Sequence, residues 1–143
     1  MKVEMSLKIL ILGDNAEIDR ILKLSIENQP GWKAVGAMAG EEALAGSPFK
    51  HPPDVVISEI SRIDASVIPS ISAIRDKFVG SKILAVSDQR DSRLVLRIIH
   101  AGANGFMITD RAPEELAAAI RTIAAGGMFL SPGIAGLEGR RPS

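Results

Sequence analysis

Four short apolar runs, each stopping abruptly at polar residues, constrain this chain more than any other feature. Lys8–Leu12 stops at Gly13-Asp14, Val55–Ser58 at Glu59, Lys82–Val86 at Ser87-Asp88, and Gly105–Ile108 at Thr109-Asp110; Trp32–Met38 is a weaker fifth run. Short continuous runs rich in Val, Ile and Leu fit strands buried on both faces, as in a parallel sheet. Between them, apolar residues recur at helical spacing: Ile18, Ile21, Leu22 and Ile26; Val67, Ile68, Ile71 and Ile74; Leu94, Val95, Ile98 and Ile99; Leu116, Ile120 and Ile123. Gly40–Ala45 reads as a further short helix, ended by Gly46-Ser47-Pro48. Strands alternating with helices of this length give a parallel sheet with helices on both faces.

The central run is Asp54–Glu59, entered from a Pro52-Pro53 turn. Ligands of open parallel sheets bind beyond the carboxyl ends of the strands, so Glu59 stands where chemistry would be done. Other punctuation agrees with the pattern. Asn28-Gln29-Pro30-Gly31 stops the first helix, and Pro113-Glu114-Glu115 opens the last, where Pro and acids are favoured. Pro69 fits only in the first turn of its helix. Asp14 has two readings, as the cap of the first helix and as a metal ligand. Ser87 likewise reads as a turn or cap residue before the Asp91 helix.

A chain of 143 residues with 46% hydrophobic residues suits one folded domain, expected over residues 8–135, with tails at 1–7 and 136–143. Lys plus Arg and Asp plus Glu are each 17, so the formal charge is zero, which argues against a surface devoted to gripping nucleic acid. With no cysteine there is no disulfide and no thiolate site. No apolar run nears the ~20 residues needed to cross a bilayer, and a cytoplasmic protein is expected. His51 and His100 are isolated and lack metal-site spacing. Arg90, Arg93, Arg97 and Arg111 fall around the fourth helix and the start of the fifth, as a solvated basic face. Neither a phosphate-binding Gly-rich loop nor a Ser-His-Asp ordering is visible.

Lined up by strand ends, the chain resembles the receiver domain of response regulators, closest to the receiver half of LuxR/NarL-type transcription regulators. The residues that carry this are Asp54–Ser58, Gly40–Leu44, Ala101–Phe106 and Pro113–Leu116, with Ala124–Pro132 resembling the segment just past the last receiver helix. The resemblance implies a flavodoxin-like (CheY-like) three-layer α/β sandwich, with a five-stranded parallel sheet in the order 2-1-3-4-5.

It also implies a constellation at the strand ends, and this sequence departs from it. The family's acid pair, which helps hold Mg²⁺, is Gly13-Asp14 here. The phosphoacceptor position, an Asp in the family, is Glu59. The hydroxyl that bonds the phosphoryl oxygens is kept as Ser87, and the aromatic that changes rotamer is kept as Phe106. The Lys that pairs with the phosphoryl charge is Thr109. Asp14 and Glu59 could collect Mg²⁺ only weakly, because that ion wants near-octahedral oxygen coordination. A longer Glu arm spoils in-line attack, and no built-in cation stabilises the transferring group.

The expected function is therefore that of an atypical, non-enzymatic pseudo-receiver in a two-component system. It would act through protein–protein contacts independently of phosphorylation, without a cofactor. Glu59 is either a mimic of the phosphorylated Asp, projecting negative charge towards Ser87, or a solvated acid in a decayed site. Expected partners are a second copy of the chain and a sensor histidine kinase, with DNA reached only through an output domain absent from this chain. Two other readings stand beside it: a working receiver that uses Glu59, Asp14 and Mg²⁺, and a flavodoxin-like small-ligand binder using the same strand-end crevice.

Overall fold

The computed structural model describes residues 6–46 and 50–134. In chain order these form β1 (Leu7–Leu12), α1 (Ala16–Glu27), β2 (Trp32–Met38), α2 (Gly40–Ala45), β3 (Val55–Ile60), α3 (Val67–Lys77), β4 (Lys82–Ser87), α4 (Ser92–Ala101), β5 (Gly105–Ile108), a 3-10 turn (Thr109–Arg111), α5 (Ala112–Ala124) and β6 (Phe129–Leu130). All pairings are parallel, in the order β2-β1-β3-β4-β5-β6. Two buried layers follow from strand alternation. Ile9, Ile11, Val55 and Ile57 pack under α1 and α5, while Leu10, Leu12, Val56 and Ile60 pack under α2, α3 and α4.

The sheet has six strands, one more than the sequence pattern predicts. The sixth, Phe129–Leu130, is two residues long and sits in a glycine-containing stretch, too short to show a period. Gly126 takes φ 95°, a left-handed turn that glycine adopts without steric cost and that closes α5. The chain then lies along β5, with Phe129 N–H donating to Asn104 O at 3.4 Å and Ser131 N–H to Phe106 O at 3.0 Å. Gly105 permits the approach, since a Cβ there would stand 3.0 Å from Phe129 O.

Ser131 fixes this strap. It is 3% exposed. Its hydroxyl accepts from Ile108 N–H at 3.0 Å and donates to Glu115 Oε1 at 2.6 Å. Three residues on, Ile134 is fully buried in the layer under α4.

Leu7 is the first residue of β1 and is buried, so the strand starts one residue earlier than the apolar run suggests. Residues 1–5 and 136–143 of the expected tails lie outside the described residues. At α1 the capping side chain is Asn15, whose Oδ1 accepts from Glu17 N–H and Ile18 N–H, both at 3.1 Å. The cap reading of Asp14 is thereby corrected by one position.

Candidate functional site

Glu59 is the penultimate residue of β3, paired in register with Val86 of β4, and β1 lies on the other side. Strand alternation sends it to the same side of the sheet as Ile57, towards α1, and sends Ser58 towards α2 and α3. Glu59 fills a place that Gly13 leaves free. A Cβ on residue 13 would overlap the Glu59 carboxyl, and even Oε1, the farthest of its three terminal atoms, would be 2.9 Å away. Gly13 is therefore more than a lost acid. Its missing side chain is the volume that the Glu59 carboxyl occupies.

Taken as ionised groups, the carboxylates here are unsatisfied: both Glu59 oxygens are buried with no donor to meet them, as is Asp19 Oδ1. Burial pushes the Glu59 carboxyl up to about 9, helped by the side-chain hydrogen bond with Asp19 and by the negative charges of Asp19 and Asp14. Glu59 is a neutral acid at pH 7 on this reading. Its proton is what makes hydrogen bonding to Asp19 feasible, because two ionised carboxylates have only acceptors to offer each other. Asp19 was missed in the sequence, although a signal was there. Asp19, Leu22 and Ile26 lie at i, i+3 and i+7, which puts a carboxylate on the apolar stripe of α1.

The other expected residues are placed as follows. Asp14 is exposed, and its Oδ1 accepts from the Ser61 hydroxyl at 3.4 Å. Ser87 is buried at the end of β4, and its Oγ accepts from Gln89 N–H at 3.3 Å, a turn bond. Phe106 is fully buried in β5, beside Leu130 of β6. Thr109 opens the 3-10 turn and is half-buried. The expectation that Glu59 reaches towards Ser87 does not hold: its carboxyl lies against the end of β1, and Ser87 is on β4, the opposite neighbour of β3. At the far side of the site, Arg90 pairs with Asp110 at 3.3 Å, both well exposed.

A Mg²⁺ ion sets a strict requirement for this corner. That ion needs several ionised or neutral oxygens around one point at octahedral angles. The Glu59 carboxyl is turned in against Gly13, and the exposed carboxylates at this corner are Asp14 and Glu41. Among the described residues, no group of three or more His, Cys, Asp or Glu side chains is arranged to hold a metal ion.

This fold, with an acid at the end of β3, a buried hydroxyl at the end of β4 and a buried aromatic in β5, was compared with known proteins. No protein-family model matches the chain. The transcriptional regulatory protein UhpA of Salmonella typhimurium is 39% identical over 97 residues, covering 68% of this chain and 47% of UhpA. A nitrate/nitrite response regulator protein homolog of Haemophilus influenzae is 28% identical over 134 residues, covering 92% of this chain and 63% of that protein. The crystal structure of a LuxR-family two-component response regulator from an Aurantimonas species superposes with a TM-score of 0.81 at 27% identity, covering 94% of this chain and 96% of that one. This chain is a homologue of the LuxR/NarL-type response regulators.

The matched part spans about half the length of UhpA. The isolated receiver (REC) domain of RcsB from Salmonella enterica serovar Typhimurium, solved with the phosphomimetic BeF3⁻, has a TM-score of 0.78 at 18% identity, a likeness of fold alone. Within the receiver frame, His51 is exposed, His100 is exposed near the end of α4, and neither takes part in the site. Arg93 and Arg97 lie on α4 and Arg111 closes the 3-10 turn. Among the described residues, no helix is long and apolar enough to cross a membrane.

Proposed function

We propose that this receiver is a pseudo-receiver, acting by contact rather than by phosphoryl transfer. The observation that carries the reading is the placement of the Glu59 carboxyl in the space beside Gly13. A nucleophile there must be ionised and aimed out of the strand end at the phosphorus. Glu59 is protonated, turned towards α1 beside Gly13 and joined to Asp19, with both carboxyl oxygens buried. In phosphoryl transfer positioning and electrostatics supply most of the catalysis, and here the cation position carries Thr109. The same geometry disfavours the phosphomimic version, because a neutral carboxyl leaning on β1 presents no charge to Ser87. The domain is read as holding one conformation set by packing.

In the whole protein the receiver would control a DNA-binding transcription output, in the cytoplasm, working as a homodimer. UhpA is named a transcriptional regulatory protein, and RcsB, a fold neighbour, has been solved as two dimers bound to two parallel DNAs. A sensor histidine kinase is the partner class from which the two-component ancestry would derive.

The test is incubation with acetyl phosphate and Mg²⁺ followed by intact mass measurement. The expected result is an unchanged mass. A phosphoryl adduct on the native protein overturns the reading.

A further inference from the structure

A cleft of about 330 Å³ opens at the carboxylate corner and runs beneath α2 and α3. Its wall is apolar, formed by Leu12, Leu44, Ile60, Val67, Ile71 and Ile74. The space exists because the residues that border it nearest the sheet are small. Ser58 stands on the core side of β3 between Val56 and Ile60, both branched aliphatics, and Ala39-Gly40 form the opposite lip. Ser58 is 7% exposed and borders the cleft, and its hydroxyl is not among the buried unpartnered atoms, so its small exposed surface opens into this space. A hydroxyl at the edge of an apolar cleft can donate to or accept from one polar group of a molecule seated there. The mouth carries Asp14 and Glu41 against one guanidinium, Arg62, and Glu59 also borders the cleft.

We propose that this cleft is a binding site for a compact neutral organic molecule, an aliphatic or alicyclic body bearing one hydroxyl, carbonyl or amide group. The body covers the Leu12, Leu44, Val67 and Ile71 side chains, and the polar group pairs with the Ser58 hydroxyl. The volume falls at the low end of small-molecule pockets and excludes a nucleotide-sized ligand. Neutrality follows from the surroundings. An anion would enter past two carboxylates and lose its hydration against an aliphatic wall, with no buried cation to meet it. Such a ligand would wedge α3 against β3 next to Glu59 and so supply an input that needs no phosphate. The site does not depend on whether Glu59 is reactive, so acetyl phosphate labelling and ligand binding test separate statements.

The experiment is a titration of the methyl-labelled protein with cyclohexanol, read by NMR, with cyclohexanecarboxylate as the charged control of the same body. Saturable shifts confined to the Leu12, Leu44, Val67, Ile71 and Ile74 methyls are expected, with the carboxylate at least about tenfold weaker, since one buried charge costs more than the ~1.4 kcal/mol a factor of ten represents. Ser58→Ala keeps the space and loses the hydrogen bond, so its affinity falls several-fold. Ser58→Leu fills the space, abolishes the shifts and raises the melting temperature. Should Ser58→Leu fail to fold, Ser70→Trp closes the mouth from the exposed side of α3 and abolishes the shifts in its place. Linear, unsaturable shifts, equal binding of the carboxylate, shifts that survive in a folded Ser58→Leu, or shifts that survive Ser70→Trp each overturn the proposal.

Discussion

The Glu59 carboxyl and a side chain on residue 13 cannot coexist, because they would occupy the same volume. A glycine at the end of β1 and a glutamate at the end of β3 are two halves of one change. Read separately, one is a lost ligand and the other a lengthened acid. Read together, they move a carboxyl from the mouth of the site into its wall.

That relationship makes the two positions energetically coupled. Gly13→Asp alone forces overlap and adds a third carboxylate beside Asp14 and Asp19, so a destabilisation of about 2–4 kcal/mol is expected. In Gly13→Asp/Glu59→Ala the space is free again and most of that loss is recovered. Urea unfolding of the two single variants and the double measures the coupling, which should exceed about 1 kcal/mol. Additive effects would place the Glu59 side chain elsewhere.

The protonated state of Glu59 predicts a pH dependence with a definite sign. Its folded-state value, about 9, lies above the unfolded 4.5. The folded protein therefore holds this proton more tightly than the unfolded chain does. The contribution is fully present below pH 4.5 and is lost progressively as pH rises towards about 9. Urea midpoints at either end of that window should fall with rising pH in the native protein. In Glu59→Gln, which keeps the shape and cannot ionise, the fall should be smaller, and the difference between the two isolates this group from all others.

Rebuilding chemistry at this corner should require more than the acceptor. Glu59→Asp alone leaves position 13 without an acid and position 109 without a cation, and no labelling by acetyl phosphate is expected. Gly13→Asp/Glu59→Asp/Thr109→Lys supplies the acid pair, the shorter acceptor and the amine, and a phosphoryl adduct by intact mass is the expected outcome. A gain from Glu59→Asp alone would show that the carboxyl's placement is not what withholds the reaction.

The Ser131 hydroxyl serves Ile108 N–H and Glu115 at once. Ser131→Ala leaves both without a buried partner and should cost about 1–3 kcal/mol. Hydrogen exchange at the Ile108 amide should accelerate by more than at amides of β1 and β3. Ser131→Thr, which retains the hydroxyl, should restore most of the protection.

Much of the sheet was legible because strands buried on both faces leave a strong mark. Ile9–Leu12 and Val55–Ile57 have no polar residue to hide them, and turn residues bracket each. The helices on both sides followed from Leu22 and Ile26 or Ile71 and Ile74 at their spacing. The sixth strand was not legible, because two residues carry no period and its pairing depends on a close approach at Gly105. The strand-end residues were found by their positions, yet their arrangement was not. Whether Glu59 faces Ser87 or α1 is decided by a side chain absent far back along the chain, at Gly13, and by a carboxylate on α1. Such pairings belong to tertiary packing and leave no local trace beyond Asp19 sitting in an apolar stripe.

The strap also sets how force enters the molecule. Because Phe129–Leu130 runs parallel to β5 and is pinned at Ser131, a tug on the chain beyond Ile134 loads those bonds lengthwise, in shear, rather than peeling them one by one. The strand that bears Phe106 is thus the first part of the sheet to feel a neighbour pulling, and the same strap would carry a strain in that strand outward along the backbone.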